Sequence, residues 1–202
     1  MSDFIRNRYT SKVSSANLGC ANLLPYLHVK TGNYVLDLGC GSGGTVFAIA
    51  PQVGSTGRIY GLDLTSGMIE AAIARNNYQN VFFHIGDIHS LPFENALFDT
   101  VLSNCVINHS QDKATVFSEI FRVLKPDGCF MIGDVMAVGK LPEEIANNSC
   151  NVAACWGGAI PKDEYFCMIK AQGFCKIEQL SSRFYQKENY PMESIIVKGV
   201  KS

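Results

Sequence analysis

The stretch YVLDLGCGSGGT, residues 34–45, decides the fold. Tyr34–Leu38 is a short apolar run interrupted by one acid, Asp37, and Gly39, Gly41, Gly43 and Gly44 follow at once. A run of that length bounded by glycines reads as a buried strand entering a tight turn. Glycine at alternate positions lets the backbone turn sharply and approach a ligand closely. The spacing satisfies GxGxG and, through Gly44, the dinucleotide pattern GxGxxG. No Lys-Ser/Thr pair follows the glycines, which excludes a Walker A phosphate loop.

Working outward, apolar runs alternate with helical patterns. Arg58–Asp63, Val81–Asp87, Phe98–Asn104 and Gly128–Asp134 read as the second to fifth strands. Two final strands are expected near Lys176–Leu180 and Glu193–Val200. Between them, Thr65 is placed to cap a helix whose Met68, Ile69, Ala72 and Ile73 share a face. Asp112 is placed to cap another, with Val116, Phe117, Ile120, Phe121 and Leu124 as its buried stripe and Pro126-Asp127-Gly128 as its stop. A third helix is expected over Pro161–Gly173, with proline at its start and glycine past its end. Strand–helix alternation implies an α/β fold, a Rossmann-like doubly wound sheet with right-handed crossovers and helices on both faces. Ligands in such sheets bind outside the carboxyl ends of the strands. Gly39, Asp63, Asp87, Asn104, Cys105 and Asp134 all fall at or just past those ends.

Composition narrows the function. The chain has 202 residues, 47% hydrophobic and 17% charged, with a net charge of −1. That suits one domain over 1–202: an N-terminal segment to residue 30, a cofactor-binding core over 31–135, and a substrate-side segment with the final strands over 136–202. Near-zero charge favours neither nucleic acid nor an anionic membrane as partner. No apolar run approaches the roughly 18 residues of a membrane span, and MSDFIRNRYTSK lacks the apolar segment of a secretory signal. A cytoplasmic protein is expected, in which the sequons at Asn108 and Asn147 carry no sugar. The eight cysteines, Cys20, Cys40, Cys105, Cys129, Cys150, Cys155, Cys167 and Cys175, show no CxxC pair. A zinc knuckle is therefore not expected. Cys129 and Cys167 read as core residues, and Cys40 as a packing residue within the glycine loop.

Electrostatics separates the cofactors that a glycine loop can hold. Asp37, two residues before Gly39, would repel a pyrophosphate. S-adenosylmethionine has no phosphate and carries an ammonium and a sulfonium, which a carboxylate favours. Asp63 lies 20 residues after Gly43, where an acid accepts from ribose hydroxyls. Asp87 is placed to accept from an adenine amino group, with Ile88 and Met68 against the ring.

At this point the sequence resembles a family. YVLDLGCGSG, GLDLT, GDIHSLPF, FDTVLSN and RVLKPDG are similar to segments of class I S-adenosylmethionine-dependent methyltransferases, over nearly the whole chain. The resemblance implies a seven-stranded sheet whose last strand is antiparallel and inserted. It places Gly39, Gly41 and Gly43 at the methionine moiety, Asp63 at the ribose, Asp87 and Ile88 at the adenine, and Asn104 beneath the methionine part, with Leu64 also among the cofactor-binding residues.

Within that family, SNCVIN (103–108) with Asp112-Lys113, LGCANLLP around Cys20, and CWGGAIPKDEY from Cys155 are similar to the arsenite methyltransferases. The resemblance makes Cys20, Cys105 and Cys155 the catalytic ligands that hold As(III) as substrate, and implies a thiol such as glutathione as its carrier. Cys150, five residues from Cys155, is the alternative third ligand. The chemistry agrees: trivalent arsenic is soft and selects thiolates. Held by three sulfurs, it keeps a lone pair that can attack the sulfonium methyl. The sequence departs from the family at His109, where leucine is usual, at Asp127, and in lacking an additional N-terminal cysteine pair. Two rival readings stay open. One is a methyltransferase for an organic small molecule, with His109 as base. The other is a metalloid-binding protein without turnover, and if neither role applies His109 is a surface loop residue.

Overall fold

The computed structural model describes residues 21–202. Cys20 and the residues before it lie outside the described residues. Among the described residues, seven strands form one sheet: β1 Tyr34–Leu38, β2 Arg58–Asp63, β3 Val81–Ile85, β4 Phe98–Asn104, β5 Leu124–Ala137, β6 Phe174–Lys187 and β7 Tyr190–Lys201. Their order is β3-β2-β1-β4-β5-β7-β6. The first five are parallel, and β7 runs antiparallel between β5 and β6. The inserted antiparallel last strand is thus present.

Six α-helices accompany the described strands, α1 Gly44–Val53, α2 Ser66–Arg75, α3 Lys113–Val123, α4 Glu143–Ala146, α5 Ser149–Ala153 and α6 Lys162–Ala171, with short 3-10 helices at Leu24–Tyr26 and Ile107–His109. Side chains alternate across the sheet with period two. Leu36, Leu38, Val101, Phe130 and Ile132 face a core shared with Val116, Phe117 and Ile120 of α3 and Tyr165 and Ile169 of α6. Val35, Leu102 and Met131 face the opposite core, with Val46 and Ile49 of α1 and Ile69 of α2. Helices therefore cover both faces. Being apolar on both faces is what makes the central strands read as unbroken apolar runs.

Several expectations need correction. β5 begins at Leu124, so that residue belongs to the sheet and not to the stripe of α3. Pro126-Asp127-Gly128 forms an irregularity within the strand: pairing jumps from Phe98↔Leu124 to Thr100↔Cys129, with Asp127 at φ 60°. β4 advances two residues while β5 advances five, so three extra residues are looped out of β5, an enlarged form of bulge. β3 stops at Ile85, and Asp87 makes only an isolated bridge with Ser90. The last two strands form a long hairpin: β6 continues past its expected end into mostly exposed, polar residues, and β7, largely buried, pairs along it from Tyr190 to Lys201. Ile73 is exposed, since α2 buries Met68, Ile69 and Ala72. Phe121 is only partly buried.

Thr65 occupies the N-cap of α2 without a side-chain capping bond. Asp112 does cap α3, accepting from the Thr115 amide at 3.0 Å. Cys167 is exposed, not a core residue. α6 turns Tyr165 and Ile169 inward, and residue 167 lies about 200° around the helix from Tyr165. Cys129 is half-buried, its sulfur 3.8 Å from Thr100 Oγ1. No helix among the described residues is long and apolar enough to cross a membrane.

Candidate active site

Two groups of candidate residues lie at the carboxyl ends of the central strands. The first is the glycine loop between β1 and α1. Gly39, Gly41 and Gly43 have φ of 67°, 52° and 87°, a left-handed region that suits glycine. At Gly39 a side chain would also overlap Val106, so the glycine loop rests directly on the segment that follows β4. At Gly41 a methyl group would meet nothing closer than Met68 Sδ, 4.0 Å away, which leaves the backbone open to a ligand.

Asp63, at the end of β2, stiffens this loop. Its Oδ2 accepts from the Gly41 amide at 3.0 Å and its Oδ1 from the Thr65 amide at 2.9 Å. Burial raises the carboxyl pKa of Asp63, and these amides pull it back. Asp37 is buried beside it. Desolvation first, and then the charge of Asp63, push the Asp37 carboxyl up to about 7. A buried acid and a half-buried one in mutual repulsion are suited to a cation and hostile to a phosphate. The residues present therefore fit S-adenosylmethionine, with Leu64, Met68 and Ile88 available as apolar neighbours. Asp87 is exposed and engaged by His89: Nδ1 lies 2.6 Å from Oδ1, and the His89 amide donates to the same oxygen at 2.9 Å. His89 Nε2 lies 2.7 Å from Ser110 Oγ, so this imidazole links the third strand's loop to the fourth's.

The second group lies past β4. Cys105 and Cys155 come together although 50 residues separate them. With Asp134, their ligand atoms all lie within 4.8 Å of one another, and all three residues are buried. Both cysteines have left-handed backbones, φ 58° and 75°. For residues other than glycine this costs about 1–3 kcal/mol each and is concentrated at functional sites. Cys105 is disulfide-bonded and becomes a ligand only once reduced. Cys150 is exposed. Of the two alternatives, it is Cys155 that shares the pocket.

Glycines explain how the second group assembles. A side chain at Gly158 would overlap the carbonyl of Asn108, so Gly-Gly-Ala after Cys155 is needed to seat that segment on SNCVIN. Asn108 Nδ2 donates to the Val135 carbonyl at 2.6 Å, holding the same segment to β5. Both polar atoms of the Asn104 side chain are engaged by Ala21. Its Nδ2 donates to the Ala21 carbonyl at 2.6 Å, and its Oδ1 accepts from the Ala21 amide at 3.3 Å. His109 is buried, not a surface loop residue, with Nδ1 2.8 Å from the Val152 carbonyl. A carbonyl at Nδ1 fixes the proton there, so this nitrogen is a donor and not a base.

Sequence reasoning noted Asp134 at a strand end but gave it no role. It is fully buried inside β5; Oδ1 accepts from the Val135 amide at 3.0 Å and from the Cys155 thiol at 3.6 Å, and Oδ2 from Tyr165 OH at 3.3 Å. Burial raises its carboxyl to about 6. Lys113 was singled out only through the motif. Its buried Nζ donates to the Ser110 carbonyl at 2.9 Å. Burial lowers its pKa, while Asp134 and Cys155 act to raise it.

Comparison with known proteins adds to this geometry. A family described as "Methyltransferase domain" matches residues 30–192. The arsenite methyltransferase of Halobacterium salinarum is 35% identical over 164 residues, covering 80% of this chain and 42% of that protein. The arsenite methyltransferase of Homo sapiens is 33% identical over 190 residues, covering 88% and 50%. The crystal structure of an arsenic(III) S-adenosylmethionine methyltransferase from Chlamydomonas reinhardtii superposes with a TM-score of 0.81 at 30% identity, covering 96% of this chain and 72% of that one. The chain spans about half the length of the curated relatives it matches.

Proposed function

Because the chain belongs to the methyltransferase domain family, class I, with S-adenosylmethionine as cofactor, we propose that it methylates trivalent arsenic held by Cys20, Cys105 and Cys155. The observation that carries this reading is the convergence of Cys105 and Cys155 in one buried pocket of a methyltransferase fold. A soft, thiophilic acceptor is held by sulfur, and two sulfurs converge there. Cys20 lies outside the described residues, but its covalent neighbour Ala21 is tied to Asn104, the neighbour of Cys105.

S-adenosylmethionine supplies an electrophilic methyl group on a cationic sulfur. The glycine loop, Asp63 and Asp37 bind and orient it, with Asp87 toward the adenine. The cysteines would orient the arsenic so that its lone pair faces the methyl carbon; the As–C bond would form from that pair as the sulfonium S–C bond breaks, its pair staying on the departing thioether, and arsenic would rise formally to As(V), for which excess carrier thiol is the reductant. Arsenic enters by exchange with a thiol adduct, such as that of glutathione: each Cys S–As bond forms as an As–S bond to the carrier breaks, and the cysteine proton leaves with the carrier thiol. Thiol in excess, as in the cytoplasm, also reduces the Cys105 disulfide.

The test is incubation with arsenite, glutathione and S-adenosylmethionine, followed by speciation of the products. Methylated arsenic is expected from the wild type and none from Cys105→Ser or Cys155→Ser, while both variants still bind S-adenosylmethionine. Near-normal turnover by Cys105→Ser overturns the proposal. Arsenite binding by the wild type without methylated product makes the protein a sequestering one instead.

A further inference from the structure

Asp134 is an unusual neighbour for two cysteines. It is fully buried, and its carboxylate is oriented by the Val135 amide and Tyr165 hydroxyl, as metal-binding carboxylates are oriented by outer hydrogen bonds. Cys155 Sγ lies 3.6 Å from Asp134 Oδ1. A tetrahedral zinc ion, with about 2.3 Å to sulfur and about 2.1 Å to oxygen, requires a sulfur–oxygen separation of about 3.6 Å. The corresponding sulfur–sulfur separation is about 3.8 Å, and all three ligand atoms already lie within 4.8 Å of one another. From these relations we infer that Cys105, Cys155 and Asp134 form a three-ligand site for a thiophilic divalent cation such as Zn2+.

Charge supports the same set. Two thiolates and one carboxylate carry −3, and a divalent ion leaves −1. The buried ammonium of Lys113, whose charge interacts with both Asp134 and Cys155, brings the total to zero. Buried charges persist only when compensated in this way. Ligand softness then separates two kinds of guest. Zinc is borderline and accepts sulfur and oxygen together. Trivalent arsenic prefers a set made only of sulfur. Asp134 thus completes the site for the divalent ion, and the fourth position remains for water or a small thiol. Once thiol or phosphine has reduced the Cys105 disulfide, each S–M bond forms as the cysteine gives its proton to the buffer, with no further change of oxidation state. Such an ion fills the pocket assigned to arsenic and competes with it. The inference shares two cysteines with the arsenic reading but does not depend on turnover.

The experiment uses the full chain, reduced with a phosphine to avoid added thiol, and Cd2+ as probe. One equivalent is expected to bind, with a 113Cd resonance in the range of two sulfur ligands and displacement by Zn2+. Cys155→Ser should remove about half of the sulfur-to-cadmium absorption, since it removes one of two thiolates. Asp134→Asn should keep the absorption but weaken Cd2+ binding by on the order of tenfold or more. A three-sulfur resonance, unchanged affinity in Asp134→Asn, or no binding overturns the inference. The resonance is read on the wild type, so a variant that folds poorly does not rescue it. Neither S-adenosylmethionine nor arsenite is present, so this outcome and that of the methylation assay are separate.

Discussion

Cys105 and Cys155 hold their sulfurs together by holding their own backbones in a region that glycine tolerates and cysteine resists. The strain belongs to Cα geometry, and the chemistry belongs to Sγ. The two are separable by mutation. Cys155→Gly and Cys155→Ala both lose the sulfur, but only glycine relieves the backbone. We expect the glycine variant to be more stable than the alanine variant by about 1 kcal/mol, read from urea midpoints. Equal midpoints would show that the left-handed turn costs nothing here. His109 shows what a sequence conceals at this scale. Its burial depends on the Val152 carbonyl, 43 residues away, and no local pattern announces that contact. Asp134 was visible as an acid at a strand end. Its proximity to sulfur was not, because it depends on where the segment after α5 returns to the sheet.

At the scale of elements, β1, β2 and β4 were legible to the residue, because strands buried on both faces leave continuous apolar runs that stop at Asp, Gly or Asn. The β6–β7 hairpin was legible only at its centre. β6 is mostly exposed at the sheet edge, and its polar residues, among them Ser181, Ser182 and Arg183, read as loop. The cysteine of α6 was misread because the burial phase of a short helix is set by its partners: Tyr165 stacks edge-on against Phe117 of α3, and this fixes which side faces out. The candidate cofactor loop was legible from glycine spacing, and the reason for its first glycine was not. Contact between elements also yields a prediction. Gly158→Ala should destabilise the protein by about 1–3 kcal/mol, as overpacking does, and should lower arsenite binding more than S-adenosylmethionine binding. Calorimetry with each ligand measures the split. Equal loss of both would mean that the segment supports the whole fold and not the acceptor pocket.

For the molecule as a whole, the buried acid at the end of β1 sets a pH dependence. The Asp37 carboxyl, raised by desolvation and then by Asp63, titrates near 7 when folded, against an ordinary value of 3.8. Between those values the folded chain holds a proton that the unfolded chain has released, so stability falls as pH rises through this window. His84, lowered by burial, acts in the opposite direction. Urea unfolding at pH 5.5 and 7.5 should therefore show a smaller loss, or a gain, on raising pH in Asp37→Asn than in the wild type. An identical pH response in the two would remove Asp37 from the account. With the cofactor held as proposed, the same ionisation sets its affinity: a cation is bound best by the carboxylate, so affinity for S-adenosylmethionine should weaken as pH drops below 7, and Asp37→Asn should flatten that dependence. Finally, the segment after β4 presses on Gly39 through Val106 and on Gly158 through Asn108. It is held from both sides by residues chosen for having no side chain. Acceptor specificity in this scaffold is therefore not a removable cassette: a graft of residues 103–108 into another methyltransferase needs a recipient with glycine at both abutments, or the transplanted cysteine will be present in the chain and absent from the pocket.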